Sequence, residues 1–413
     1  VSLLIGSDSR CHYNNQHIQP EPKRKVVDRM REVAIIGIGQ TPIDEHWDKS
    51  LRVLAGEAVL AALNDARRES VDAVYVANMM SGSANHQQHL ATQIADWVGL
   101  RYTEAFKLEA ACSSGAAAFR TGVMAVGSGL VESAVVVGVE KMTDSPGAEI
   151  TAALATAADA DWEVDQGLSF VALNALLMRR YMYEYGWKHE HFAPFSINAH
   201  ANAVHNPNAR FHEPLSEATY NKSAMIAEPI NLFDASPMGD GAAAAVLVPA
   251  DTLASNAPRI EVAGSGSATD SIAVHSRKDG LWLSAAEASI RQAYTQAGIS
   301  PGDIDLFELH DAFTIMAALS LEAGGFAERG KGPQLALDGE ITITGRIPIA
   351  TRGGLKARGH PVGATGMYQL TEVVQQLRGQ AGETQVDGAR LGMAQNIGGS
   401  GSNIVTHILR RAN

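Results

Sequence analysis

Apolar positions along this chain follow two alternating periods. Residues 32–38, EVAIIGI, form a short apolar run bounded by glycine, the pattern of a buried strand. Residues 51–66, LRVLAGEAVLAALNDA, carry apolar side chains near helical spacing. A second strand is predicted at 71–77, VDAVYVA, and a third at 105–111, leading into Cys112. A helix follows at 114–130 and a strand at 133–139. This alternation predicts an α/β fold with a mostly parallel sheet covered by helices.

The order then repeats. PRIEVAGSG (258–266) matches the first strand, 284–300 the first long helix, and IDLFELHDAF (304–313) the next strand. Residues 359–379, GHPVGATGMYQLTEVVQQLRG, read as a glycine-rich turn entering a helix, as around Cys112. Residues 389–409 read as two strands around a glycine turn, with 231–249 as their counterpart. Duplicated α/β halves are therefore expected, 30–257 and 258–413. A mainly helical insertion at about 145–230 carries an amphipathic helix at 169–187. It suits a pocket cover, an interface or an extra helical layer. Residues 1–29 are polar and aperiodic, and read as a disordered leader. Cys11 falls in it and is given no role.

Composition narrows the function. With 413 residues, 46% of them hydrophobic, the chain has material for a large core. A net charge of −12 without a basic face points away from nucleic acid. The apolar stretches are too short to span a membrane, and VSLLIG lacks the features of a secretory signal. The two cysteines make no disulfide framework, so a cytoplasmic, reducing setting is expected.

Candidate chemistry centres on Cys112. A lone cysteine beside a strand is ordinarily a core residue. Here it falls where a strand gives way to a helix, whose free N–H groups favour a thiolate. Ser113, Ser114 and Gly115 suit a tight turn. A thiolate nucleophile needs a base and oxyanion donors. His310 in ELHDAF and His360 in ARGHPVGATG both fall at strand-end turns of the second half. If a pseudo-two-fold relates the halves, those turns face the Cys112 turn.

Other features read as structural. His189, His191, His200, His205 and His212 lack metal-ligand spacing, so no metal is expected. The glycine–serine runs at 264–267 and 399–402 read as turns where backbones approach closely. Asp240 reads as a residue fixing a glycine loop.

These residues carry a resemblance. EAACSSGAAAF, HDAF, GHPVGATG and NIGGSGSN resemble the four signature loops of thiolases, supported by NPNARF (206–211) and ASPMGDGAAAAVLV (235–248). The likeness runs from about Met30 to the C-terminus. HDAF, in place of the common NEAF, resembles the sterol-carrier-protein type and the archaeal acetoacetyl-CoA thiolases.

The resemblance implies a layered αβαβα core. It implies that Cys112 takes an acyl group from acyl-CoA and that His360 accepts its proton and helps hold the first oxyanion. His310 would hold a water or donate to that same oxyanion. The N–H groups of Cys112 and Gly398 would form the second oxyanion hole, and Asp311 would orient the His310 loop. Acyl-CoA and CoA would be substrates, with no permanently bound cofactor. Arg179, Arg180, Arg210, Lys222 and Lys278 are candidates to meet the CoA phosphates. The resemblance also implies a homodimer or tetramer.

One departure leaves the reaction open. The last loop of common thiolases holds a second cysteine where this chain has Asn396, and the HDCF variant holds it where this chain has Ala312. One reading is thiolysis of 3-ketoacyl-CoA, or its reversal by Claisen condensation, with His310 in place of the missing thiol. A Cys–His–His set also serves ketoacyl synthases of the same fold. The alternative is a non-thiolytic subunit, an acyl-CoA binder or aldolase, working with a zinc-ribbon/OB-fold protein or with hydroxymethylglutaryl-CoA synthase.

Overall fold

Glycines set how closely the layers of this molecule meet. In the computed structural model residues 30–253 and 259–412 are described. Cys11, the leader and the expected boundary near 257 lie outside them.

The first half runs β1 (Val33–Gln40), α1 (Leu51–Asp65), β2 (Ala73–Ala77), α2 (Leu90–Trp97), β3 (Glu104–Leu108), α3 (Ser114–Ser128) and β4 (Ala134–Glu140). The insertion follows with α4 (Gly147–Ala155), α5 (Phe170–Tyr185), α6 (Ala193–Ala203) and α7 (Glu217–Lys222). A small hairpin, β5 (Met225–Ala227) with β6 (Ile230–Asn231), then leads to β7 (Gly241–Pro249). The second half holds β8 (Arg259–Thr269), α8 (Ser284–Ala297), β9 (Leu306–Glu308), α9 (Thr314–Ala323) and α10 (Gly332–Leu337). It closes with α11 (Thr365–Arg378), β10 (Leu391–Gly398) and β11 (Asn403–Ala412).

The strand order β3-β2-β4-β7-β1-β8-β11-β10-β9 displays the duplication. Outward from the centre, β1-β7-β4-β2 mirrors β8-β11-β10-β9. β1 and β8 join the halves antiparallel, with Ile35 opposite Ile260. The sheet is mixed, which corrects the mostly parallel expectation. Only the β2–β3, β2–β4 and β9–β10 pairs are parallel. The strands after the insertion and after the last glycine turn return as hairpin partners, and a return strand must run antiparallel. The counterpart of the β10–β11 hairpin is thus the β4–β7 pair, split by the insertion.

Helices α1 and α2 cover the first half, and α8 and α9 cover the second. Between them α3 and α11 pack against strands of both halves, giving the αβαβα layering. A Cβ on Gly37 would lie 2.2 Å from the Ala62 carbonyl of α1, and one on Gly266 would lie 1.9 Å from the Ser289 carbonyl of α8. The same close approach occurs twice per half, at Gly37 and Gly39 on α1 and at Gly264 and Gly266 on α8. It also corrects the expected turn at 264–267, which is the middle of β8.

The central helices meet glycine to glycine. A Cβ on Gly115 would sit 2.9 Å from the Gly366 Cα, and one on Gly366 would sit 2.4 Å from the Ala116 nitrogen. Any larger side chain would push apart the N-terminal ends of α3 and α11, which bear the Cys112 and His360 turns.

Candidate active site

Three short turns converge on a cavity of about 220 Å3 lined by Cys112, His310, Ala312, His360 and Gly399. Met142, Leu154, Phe170, Phe313, Met316 and Val362 make the rest of its wall largely apolar. The sequence-predicted triad is therefore brought together by the duplicated topology.

The Cys112 turn is held by its own polar residues. Ala111 has φ 52°, a left-handed conformation that alanine rarely adopts. Ser113 Oγ donates to the Ala110 carbonyl at 2.6 Å, and Ser114 Oγ to the Ala111 carbonyl at 2.6 Å. These bonds end β3 at Leu108, earlier than expected, and lift Cys112 into the cavity. Burial favours its neutral thiol over the thiolate. Burial pushes it up to about 12, with the Glu140 carboxylate adding to the rise. N–H groups of Gly399 and of Cys112 itself reach the sulfur and oppose this only in part. Helix position favours an anion, but desolvation outweighs it here.

Beside the N–H of Cys112, the sulfur is met by the N–H of Gly399, the residue after Gly398. Gly398 is the buried last residue of β10, and its carbonyl accepts from Ser402. Gly399, with φ 59°, begins the expected turn at 399–402.

The two imidazoles lie edge to face, with centroids 5.1 Å apart. Both are buried and held neutral. Burial, followed by the nearby Arg358 charge, lowers His360 to about 3. Burial and then His360 and Arg358 hold His310 well below the usual imidazole range.

Their tautomers follow from their partners. His360 Nδ1 lies 2.6 Å from Thr365 Oγ1. That hydroxyl donates to the Pro361 carbonyl at 3.1 Å, so it accepts from His360 Nδ1–H. The lone pair of His360 is then on Nε2. The opposite holds at His310. Asn396 Oδ1 accepts from the Ala116 N–H at 3.4 Å, which turns Asn396 Nδ2 toward His310 Nδ1 at 3.1 Å. His310 Nδ1 accepts, so its proton sits on Nε2. Asn396, which the resemblance puts at the second-cysteine position, is 1% exposed and bonded to His310.

Supporting residues were only partly visible in the sequence. Asp311 Oδ1 accepts from the Leu355 N–H at 2.8 Å, tying the His310 turn to the stretch before His360. Asp240 is buried and accepts from the N–H groups of Met142 at 2.6 Å and Thr143 at 3.0 Å, so its side chain fixes the segment after β4. Glu140 was missed. It accepts from Asn78 Nδ2 at 2.8 Å and from the N–H groups of Met79 at 2.9 Å, Met80 at 3.1 Å and Gly363 at 3.0 Å. It thus pins the His360 turn to the end of β2. Burial raises this carboxyl to about 7 against those donors.

An asparagine ladder was also missed. Asn198, Asn202 and Asn206 donate to the carbonyls of Ile349 at 3.1 Å, Ala350 at 3.0 Å and Arg352 at 2.8 Å. Their spacing of four places them on one side of α6 and its extension. The insertion therefore anchors the segment leading to His360.

The remaining candidates separate. Among the described residues no group of three or more His, Cys, Asp or Glu is placed to hold a metal. His189 bonds Asp234 at 2.6 Å, His200 bonds the Glu213 carbonyl at 3.1 Å and His205 pairs with Glu383. His191 accepts from the Lys188 N–H, and His212 is exposed. Arg179 and Arg180 pair with Glu228 and Glu184, while Lys222 and Lys278 are exposed. Arg210 lines a second cavity of about 240 Å3, which shares Met142, Pro237 and Met238 with the first. No described helix is long and apolar enough to cross a membrane.

Comparison with known proteins agrees with this geometry. Residues 33–251 match the thiolase N-terminal domain and 266–411 the thiolase C-terminal domain-like model. The chain is 46% identical to an acetyl-CoA acetyltransferase of Methanothermobacter thermautotrophicus, covering 92% of this chain and 100% of that one. It is 29% identical to human (Homo sapiens) sterol carrier protein 2, covering 91% of this chain and 72% of the relative. Among solved structures it is similar to the Ltp2-ChsH2(DUF35) aldolase, with TM-score 0.80, 26% identity and coverage of 92% and 98%. With both halves matched and the Cys112, His310 and His360 turns assembled at one cavity, this chain belongs to the thiolase family.

Proposed function

We propose that this thiolase-type acyltransferase cleaves 3-ketoacyl-CoA, or forms it in reverse, with Cys112 as nucleophile and His360 as the one base. The observation that carries this reading is the opposite tautomers of the two histidines. His360 Nε2 is free to accept a proton, whereas His310 Nε2 carries one.

The steps follow. The Cys112 S–H proton passes to His360 Nε2, and the sulfur attacks the C3 carbonyl of the substrate. The N–H groups of Cys112 and Gly399, which reach the sulfur, would hold the C3 oxyanion in this scheme. The C2–C3 bond then breaks, and its electron pair moves onto the departing acetyl-CoA as an enolate. His310 Nε2–H donates to the enolate oxygen. The proton on His360 goes to C2, releasing acetyl-CoA. CoA thiol next attacks the Cys112 thioester, its proton passing through His360 back to the Cys112 sulfur. One imidazole thus does the work that a second cysteine shares elsewhere, and His310 stabilises the enolate without changing charge.

Burial disfavours thiolate and imidazolium singly, but formed together in the largely apolar cavity they attract each other strongly, which offsets that cost. Arg210, paired with Glu45 on the wall of the adjoining cavity, is our candidate for the CoA phosphates, which would compete with that carboxylate. We also propose a homo-oligomer built through the edge strand β3, whose Phe106 is 57% exposed. A reducing, cytoplasmic setting suits a mechanism that needs a free thiol. The aldolase likeness keeps one rival in view, a subunit that binds acyl-CoA without thiolysis and acts with a zinc-ribbon/OB-fold partner. Purified protein supplied with acetoacetyl-CoA and CoA separates the two. Thiolysis that disappears in Cys112→Ala supports the acyltransferase. Thiolysis unchanged in that variant overturns it.

A further inference from the structure

We propose that the acyl end of the cavity selects chains bearing a hydrogen-bond donor, a hydroxyl or an amide N–H, through Asn174. The proposal rests on the thiolase reading above and names a substrate class for the same site. Asn174 lines the cavity from α5 and is only 2% exposed. Its Nδ2 donates back along the helix to the Phe170 carbonyl at 2.9 Å, which fixes the orientation of the amide. Its Oδ1 is buried and without a hydrogen-bond partner.

Nearby polar groups do not meet that need. Thr151 Oγ1 donates to the Gly147 carbonyl at 2.8 Å, and the Ser169 hydroxyl makes no bond to Asn174 Oδ1. Leu154, Phe170, Val171 and Met316 complete this end. A buried acceptor in an apolar wall penalises a plain alkyl chain, which leaves it unpaired, and favours a chain that donates to it. A carboxylated chain is disfavoured, because the lining residues include no lysine or arginine and an anion would face the Oδ1 lone pairs.

The test is thiolysis of matched pairs, short and medium 3-ketoacyl-CoAs with and without a terminal hydroxyl. In the wild type at least one hydroxylated member is expected to exceed its plain partner in kcat/KM by about ten-fold, the worth of one hydrogen bond. Asn174→Leu is expected to bring that ratio to about one, with Asn174→Ala as the second variant should the first not fold. Equal kcat/KM within every wild-type pair overturns the proposal, as does a preference that survives in the variant. If acetoacetyl-CoA is cleaved normally while the pairs show no preference, only this inference fails. If no 3-ketoacyl-CoA is cleaved, the thiolase reading fails and this inference falls with it.

Discussion

Asn396 Nδ2 donates to His310 Nδ1 across 3.1 Å, and this contact decides which imidazole nitrogen faces the substrate with a proton. The amide cannot turn over, because its oxygen is taken by the Ala116 N–H. Asn396→Asp retains the shape and reverses the polarity, since a carboxylate would accept from His310 Nδ1–H. His310 would then present a lone pair where a donor is needed. A loss of about 10²–10³ in kcat is expected, the usual effect of removing one oxyanion donor. KM should change little. Thiolysis kinetics of Asn396→Asp beside Asn396→Gln check this, and an Asn396→Asp enzyme with wild-type kcat contradicts it.

Thr365 sets the other tautomer. Thr365→Val removes the acceptor for His360 Nδ1–H and leaves the ring free to present either nitrogen. Acylation of Cys112 is expected to slow by about ten-fold, one order within the 10²–10⁴ range of general acid–base catalysis. Stopped-flow release of CoA from acetyl-CoA reads this step directly. Thr365→Ser should recover most of the rate.

The free thiol titrates high. Burial and Glu140 raise Cys112 to about 12, so the neutral thiol is the favoured form throughout the physiological range. An acid with a raised pKa loses its proton only as pH climbs toward that value. Alkylation by iodoacetamide should therefore keep rising with pH from neutral into the alkaline range. A plateau with an apparent pKa near neutrality would mean a preformed thiolate–imidazolium pair.

Glu140 holds two segments behind the nucleophile through four donors. Glu140→Gln turns an amide NH2 toward backbone N–H groups and leaves at least one buried donor unmatched. A destabilisation of about 1–3 kcal/mol is expected in chemical denaturation. Removing the charge beside Cys112 should at the same time speed its alkylation at fixed pH. A variant as stable as the wild type would falsify this role.

Much of the site was legible because its residues fall where strands give way to helices. Cys112, His310 and His360 each stand at such a turn, and the repeated element order implied that the turns face one another. What periodicity does not reveal is direction. The mixed sheet depends on where an insertion splits a hairpin, and apolar runs look alike in parallel and antiparallel strands. Gly398 and Gly399 are likewise equivalent as letters, and only the left-handed turn puts the second of them against the sulfur. Burial acts against the expected thiolate for another reason. Helix position can be read from the chain, but the depth of burial and the Glu140 charge come from residues distant in sequence. The ladder of Asn198, Asn202 and Asn206 did leave a signal, a polar repeat of four in a helical segment, which reads as a solvated face until its acceptors are known.

Cys112 as the acylated nucleophile is tested most directly by mass spectrometry of the intact protein and its peptides after exposure to acetyl-CoA. One acetyl group, on the peptide carrying Cys112, is expected in the wild type, removable by added CoA and absent in Cys112→Ala. CoA that binds without any adduct on Cys112, or an acetyl group that persists in Cys112→Ala, would contradict it.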